Sequence, residues 1–418
     1  MVAAGAFLLP ALSLVVPSGY SWGALCLAMA GLLTAVCART QPVAWAAPWF
    51  WWLGSIALMG LVWLLRLDWG GHAMGSGAFD RFAKYVSALV AAIALVRFAP
   101  SLTWTLRGCW LGAWGAAAVA SWQMHAMGLE RAHGYLNAIQ FGNVAVLLAL
   151  WSALAALRAR SRWERWAAGG AVLAGIYASL LSGTRGGWWV LGAWLAVLVW
   201  AGWRGYLPSG RTLPAASRPR ARRAGILAAL AALAVGGGLI WAATAASFHQ
   251  RLQDLQRDLQ HYEQGEASTS VGHRLAHWRL AWQMGWERPG LGWSEAGYEQ
   301  RKREWVASGQ APAVVLRFGH VHHEWLDLWA KAGALGVLAL ALFYGIPAAI
   351  YVRHLRPWRP DDDRVWAAWA GLILVSGYLG FGMTQVLFAH NSGNLVYLFM
   401  NLVWVSMVLR PTVMPDER

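Results

Sequence analysis

The chain is 418 residues long, 58% hydrophobic and only 13% charged, which excludes an ordinary soluble globular domain, where about a quarter of residues carry charge. Its 34 basic and 19 acidic residues leave a formal charge of +15, and every basic residue other than Lys84, Lys302 and Lys331 is an arginine. Cys26, Cys37 and Cys109 all fall in or beside apolar stretches, so no disulfide framework is available outside a membrane.

In chain order, apolar runs fall at 3–17, 20–37, 46–65, 82–98, 102–122, 139–157, 166–182, 187–203, 223–246, 326–352, 365–383 and 387–409. Runs near 20 residues match the hydrocarbon thickness of a bilayer, so the pattern predicts an all-α integral membrane protein with about twelve transmembrane helices. The first run lacks a basic leader and reads as a retained helix, not a cleaved signal peptide. Tryptophan (31) outnumbers phenylalanine (12) and tyrosine (11) together, which suits rings placed at membrane interfaces. With the N-terminus cytoplasmic, the same side holds Arg39, then Arg158, Arg160, Arg162 and Arg165, then the arginines from Arg204 to Arg223 and from Arg353 to Arg364. Short loops on the other side hold only Arg66, Arg81, Lys84, Arg131 and Arg185. The positive-inside bias places both termini in the cytoplasm and accounts for the basic charge without a nucleic-acid partner.

One extracytoplasmic segment is long, from about Phe248 to Val321. Phe248, Leu252, Leu255, Leu259 and Tyr262 recur at helical spacing, GEASTSVG interrupts them, and HRLAHWRLAWQMGW resumes the helical pattern until ERPGLGW ends it. This divides the chain into helices 1–9 (1–247), an extracytoplasmic cap (248–321), and helices 10–12 with a short cytoplasmic tail (322–418).

The ionisable residues that could carry chemistry lie at helix ends on the cap side. Arg185, in LSGTRGGWW, sits among Gly183, Gly186 and Gly187, which leave backbone N–H groups open to a phosphate. An interfacial anchor reaching the headgroups explains Arg185 equally well from these residues alone. His273 and His277 are four apart on a helix with Arg274 and Arg279, and His320, His322 and His323 form a second group. The first group has no local carboxylate or cysteine to complete a metal site, and in the second HExxH is absent and Glu324 is followed by an apolar helix with no further histidine, so no metal and no other cofactor is expected. A neutral histidine at an aqueous helix start can accept a proton. No nucleophile elbow or phosphate-binding Walker loop is present.

The ordered set RAHGYLNAIQFGN (131–143), LSGTRGGWW (181–189), HRLAHWRLAW with RPGLGW (273–293) and HHEWLDLWAKAGALG (322–336) resembles the bacterial O-antigen ligases. Their wider family includes O-antigen polymerases and protein O-oligosaccharyltransferases. The resemblance implies a GT-C type glycosyltransferase of the Gram-negative inner membrane, with a periplasmic active site. Its donor would be O-antigen glycan on undecaprenyl pyrophosphate and its acceptor a sugar hydroxyl of lipid A-core oligosaccharide, both presented from membrane lipid. Carried over by motif, the arginine before a glycine is Arg185, that of R-x-x-x-W is Arg274, and the histidine of H-x-x-x-L is His322. Relatives often have Asn or Ser where this chain has His323. The other polar residues of the motifs, Arg131, Asn137, Gln140, Arg279, Arg288 and His323, are candidates for substrate binding.

The residue types suit that reaction. Two arginines can stabilise charge on a departing pyrophosphate without a metal, and His322 can take the acceptor proton in one inverting displacement. A polymerase or protein transferase would use the same donor chemistry. A transporter fits less well, because the notable ionisable groups lie at helix ends and not near the midplane. The topology is tested by cysteine-accessibility labelling, which should modify cysteines at Glu266 and Arg220 from opposite sides; labelling from one side overturns the assignment.

Overall fold

The structure, a computed structural model, describes residues 1–37, 45–67, 79–204, 270–355 and 362–410. Among the described residues all regular structure is helical: α1 (Val2–Leu12), α2 (Gly19–Cys37), α3 (Ala47–Leu65), α4 (Asp80–Arg97), α5 (Leu102–Ser121), α6 (Ala138–Arg158), α7 (Arg162–Leu181), α8 (Trp188–Arg204), α9 (Ser270–Glu287), α10 (Ser294–Ala307), α11 (Glu324–His354), α12 (Asp363–Phe381) and α13 (Asn391–Val408). A short π-helical segment, Trp122–Ala126, extends α5, and a 3₁₀ turn, Ala313–Arg317, follows α10. The apolar runs and helices coincide except at 223–246, which lies outside the described residues with the pattern beginning at Phe248. Among the described residues five helices, α2, α3, α6, α11 and α12, are long and apolar enough to cross a membrane.

Helix α6 is the axis of the bundle. From Gln140 to Ser152 every side chain is buried, and α6 packs against α5, α7, α8 and α12. A helix apolar on every face has no solvent side to present, so it occupies the centre. Small residues set the closest crossings elsewhere: a Cβ on Gly108 would lie 2.3 Å from the Phe7 carbonyl oxygen, so α1 and α5 approach at backbone distance. Polar links also join helices across the core. Trp63 Nε1 donates to Tyr85 Oη at 3.0 Å and Tyr85 Oη to Asn394 Oδ1 at 2.7 Å, tying α3, α4 and α13.

The cap has a core of its own, built from Leu280, Ala281 and Met284 of α9, Tyr298 and Trp305 of α10, and Val315 and Val321. Helix α10 was not anticipated from the sequence, whose charged SEAGYEQRKREW stretch carries no apolar period. It forms because Tyr298, Lys302 and Trp305 turn one face inward.

The cap joins the bundle at a break in α11. Gly333 adopts φ 60° and ψ −152°, a region open essentially to glycine alone. Across the break the backbone partners are exchanged. Ala334 N donates to Pro289 O at 2.7 Å and Leu335 N to Gly290 O, while Ala330 O accepts from Trp293 N at 3.0 Å. The helix is thus interrupted at no net loss of hydrogen bonds, as an apolar environment demands. Both turns must be glycine: Gly292 has φ +67°, and a Cβ there would meet the Ala332 nitrogen at 2.4 Å.

Gly333→Ala places a Cβ 2.6 Å from Gly290 and strains the backbone, so it should cost at least about 1–3 kcal/mol. A Cβ on Gly345, in the same helix, meets nothing within 4 Å, and Gly345→Ala should be neutral or stabilising by up to about 1 kcal/mol. Thermal unfolding of the two variants in detergent checks the contrast; equal melting temperatures would remove the break from the account of stability.

Candidate active site

Six histidines of the chain gather on the bundle side of the cap. His273 and His277 come from successive turns of α9, His320, His322 and His323 from the strap entering α11, and His390 from the loop between α12 and α13. His322 is central. Its ring centroid lies 4.2 Å from His320, 5.8 Å from His273, 6.4 Å from His277 and 4.9 Å edge-on from Phe318. Its backbone has φ +58°, unusual for a histidine, and this conformation turns two neighbouring rings in different directions.

His323 takes the other direction. Its Nδ1 accepts from Leu326 N at 3.4 Å as the N-cap of α11, and its ring packs edge-on to Trp278 at 5.4 Å. His322 Nδ1 instead meets Gln385 Oε1 at 3.2 Å, while the Gln385 nitrogen faces His390 Nε2 at 3.4 Å. A carboxamide oxygen accepts only, so Nδ1 of His322 carries the proton and Nε2 keeps its lone pair. That Nε2 is enclosed and has no hydrogen-bond partner among the described residues.

Arg274 extends from α9 beside these rings, with its Nε buried and without a partner among the described residues. Burial lowers its pKa, so its charge is poorly solvated. Such a group gains most from a ligand that brings negative charge. Arg279 is exposed on the outer face of α9, and Arg288 lies over the Trp293 ring at 3.9 Å, so both stand at the rim.

The TRGG turn forms the second half of the site. Arg131 Nε donates to Ser182 O at 2.8 Å and Ala132 N to Leu181 O, which clamps the segment before α6 onto the turn. Asn137 caps α6 by accepting from Ile139 N. Gln140 and Asn143, both buried, leave Gln140 Nε2 and both polar atoms of the Asn143 side chain without partners among the described residues. Gly183 has φ +65°, and Gly186 and Gly187 lie so close to Thr384 Oγ1 and Asn143 Oδ1 that a Cβ would approach them to 2.6 and 3.0 Å. Arg185 is exposed at the tip.

The halves meet at the loop 382–390: Thr384 packs on Gly186 and Gln385 holds His322. Glu324 fixes this loop, its Oε2 accepting from Leu387 N and Phe388 N while its own N–H donates to Gly382 O. A buried ion network fixes the cap beside it. Arg66, at the end of α3, contacts Glu295 of α10 and Asp327 of α11, and Lys331 bridges the same two carboxylates at 3.0 and 2.9 Å. Glu324, Glu295 and Asp327 are therefore all occupied structurally. Among the described residues no three His, Cys, Asp or Glu side chains converge as a metal site.

Sequence reasoning singled out His322, Arg274 and the TRGG turn but missed Gln385, His390 and the ion network. The signal for the loop was present, since Thr384, Gln385, His390 and Asn391 interrupt two apolar runs. It was obscured because polar residues between spans usually mark only a turn.

All six histidines have lowered pKa values, and burial is the largest cause for each. His322 falls to about 3 through burial and then the adjacent His320, and His390 to about 4. A histidine depressed below its unfolded value near 6.5 contributes stability that is present above pH 6.5 and lost as pH falls toward the folded pKa. Lowering pH from 7 to 5 should therefore reduce the melting temperature. His322 alone accounts for about 2 kcal/mol over that range, and His322→Gln should shrink the fall; a melting temperature unchanged between pH 7 and 5 would contradict the neutral-ring assignment.

Residues 170–341, from the middle of α7 through the cap to the first turns of α11 after its break, match the family model described as O-antigen ligase. A Haemophilus influenzae protein described as uncharacterized is 25% identical over 291 residues, 69% of each chain. The matched region holds the TRGG turn, Arg274, the RPGLGW latch and His322, and over residues 170–341 the chain is similar to the O-antigen ligase family.

Proposed function

We propose that the protein is an O-antigen ligase that transfers glycan from undecaprenyl pyrophosphate to a sugar hydroxyl of lipid A-core oligosaccharide, in lipopolysaccharide biosynthesis. The observation that carries this reading is the enclosed, unpartnered Nε2 of His322, with its tautomer set by Gln385 and a poorly solvated Arg274 beside it. In this reading His322 Nε2 removes the acceptor proton as the hydroxyl oxygen attacks the anomeric carbon. The bond from that carbon to the pyrophosphate oxygen breaks, and the anomeric centre inverts.

Arg274 and Arg185 bind the pyrophosphate and stabilise the charge that grows on it, a role for which the forked guanidinium suits better than an ammonium. No metal is required for this division of labour. Arg131, Gln140 and Asn137 shape the donor side of the turn, Arg279 and Arg288 offer charge at the rim to a glycan or phosphate, and His323 supports the position of His322. The site faces the periplasm of a Gram-negative inner membrane, both termini are cytoplasmic, and the fold is of the GT-C type with twelve spans: nine before the cap (1–247), the cap (248–321), and three after it (322–418).

The test is transfer by the purified protein from lipid-linked donor to lipid A-core, in the presence of EDTA, for a set of variants. Arg185→Lys and Arg274→Lys should each lose most of the activity despite retaining charge. His322→Ala should lose about 10²–10⁴-fold in rate with donor binding retained. His323→Ala should cost about 1 kcal/mol of stability as a lost cap and far less rate. An active His322→Ala with an inactive His323→Ala would exchange their roles. Activity abolished by EDTA and restored by a divalent ion would make the histidines metal ligands. Transfer to another glycan or to a protein, with none to lipid A-core, would identify a polymerase or a protein transferase.

A further inference from the structure

The end of the bundle remote from the histidines carries a second site. Helix α6 runs about 30 Å from the TRGG turn to its C-terminus, and there α5, α6 and α7 enclose a cavity of about 220 Å³. Three arginines line it, Arg107, Arg158 and Arg160, against one carboxylate, Glu164; Leu106, Trp110, Ala155 and Ala168 supply an apolar wall. Arg107 pairs with Glu164, and Arg158 holds Thr103 at 2.9 Å and Asp363 at 2.7 Å. Arg160 is exposed and meets no carboxylate among the described residues.

The surroundings place this mouth at the level of lipid headgroups. Trp104, Trp163 and Trp166 are 52%, 67% and 80% exposed around it, and Trp163 packs edge-on to Trp110 in the cavity wall at 5.9 Å. Exposed indoles at helix ends settle at the membrane interface, where the ring has an apolar and a wet side. A positively charged hollow between helix ends at that depth has the polarity of a phosphate, and its apolar wall continues toward the bilayer.

We propose that this cavity binds the phosphodiester headgroup of an anionic glycerophospholipid. Arg160 and the free N–H groups of Arg107 and Arg158 donate to the phosphate oxygens, and the glycerol and first methylenes lie against Leu106, Trp110 and Ala155. Free phosphate shares the headgroup chemistry but makes no use of the apolar wall. The site is independent of the transfer reaction and of which sugars are joined.

The experiment is native mass spectrometry of delipidated full-length protein titrated with phosphatidylglycerol, phosphatidylcholine or inorganic phosphate. Wild type should retain phosphatidylglycerol at least fivefold more tightly than phosphatidylcholine. Arg107→Gln and Arg160→Gln should each weaken its retention severalfold, and Glu164→Gln, which removes the only lining carboxylate among the described residues, should tighten it. Tightening cannot arise from misfolding, so the Glu164 variant protects the test against unstable arginine variants. Equal retention of the two lipids, or the same anionic lipid affinity in all four proteins, would overturn the proposal. Displacement of the lipid by millimolar inorganic phosphate would reassign the cavity to free phosphate and overturn it as well.

Discussion

The exchange of backbone partners at Gly333 is the constraint on which the rest of the arrangement depends. A long apolar helix cannot be broken without orphaning peptide groups, and an orphan in an apolar setting costs several kcal/mol. Here Pro289 and Gly290 accept from the two freed N–H groups, and Trp293 donates to the freed carbonyl. The cap is therefore attached through the backbone of the bundle itself. The nine residues of α11 before the break become a short platform that carries Glu324, Asp327 and Lys331 at fixed angles to the cap.

That platform explains how so many charges are tolerated next to a cluster of neutral rings. Arg66, Glu295, Asp327 and Lys331 compensate one another in one network, and a buried pair survives only when each charge is answered. Glu324 is answered by two backbone donors. The carboxylates are thus kept from the histidines, whose rings stay neutral by burial and by the repulsion of Arg274 and of each other. Among the described residues the buried Arg274 Nε and the unprotonated Nε2 of His322 are left without hydrogen-bond partners, and the Arg274 charge is near enough to act on the His322 ring.

The two ends of α6 differ in character. At its N-terminus Asn137 caps the helix and Asn143 packs closely on Gly187 of the TRGG turn. At its C-terminus Arg158 and its neighbours spread long charged side chains among exposed indoles. The central stretch between them is buried and apolar on every side, so it holds the ends a fixed distance apart.

The sequence by itself determined the helical membrane character, most element positions and the family resemblance, and it singled out Arg185, Arg274 and His322 as candidates. These are local properties: run length, the helical period, arginine asymmetry and the spacing within short motifs all survive without knowledge of partners. Only the tertiary structure decided how these residues are placed. Which of His322 and His323 faces the site depended on a positive φ and a cap, and the tautomer depended on Gln385, 63 residues away. The same holds for Gly333, whose helix-internal position gives no sign of a break until RPGLGW is brought against it. Long-range hydrogen bonds and ion pairs join residues with no common period along the chain, and for that reason they could be found only in three dimensions.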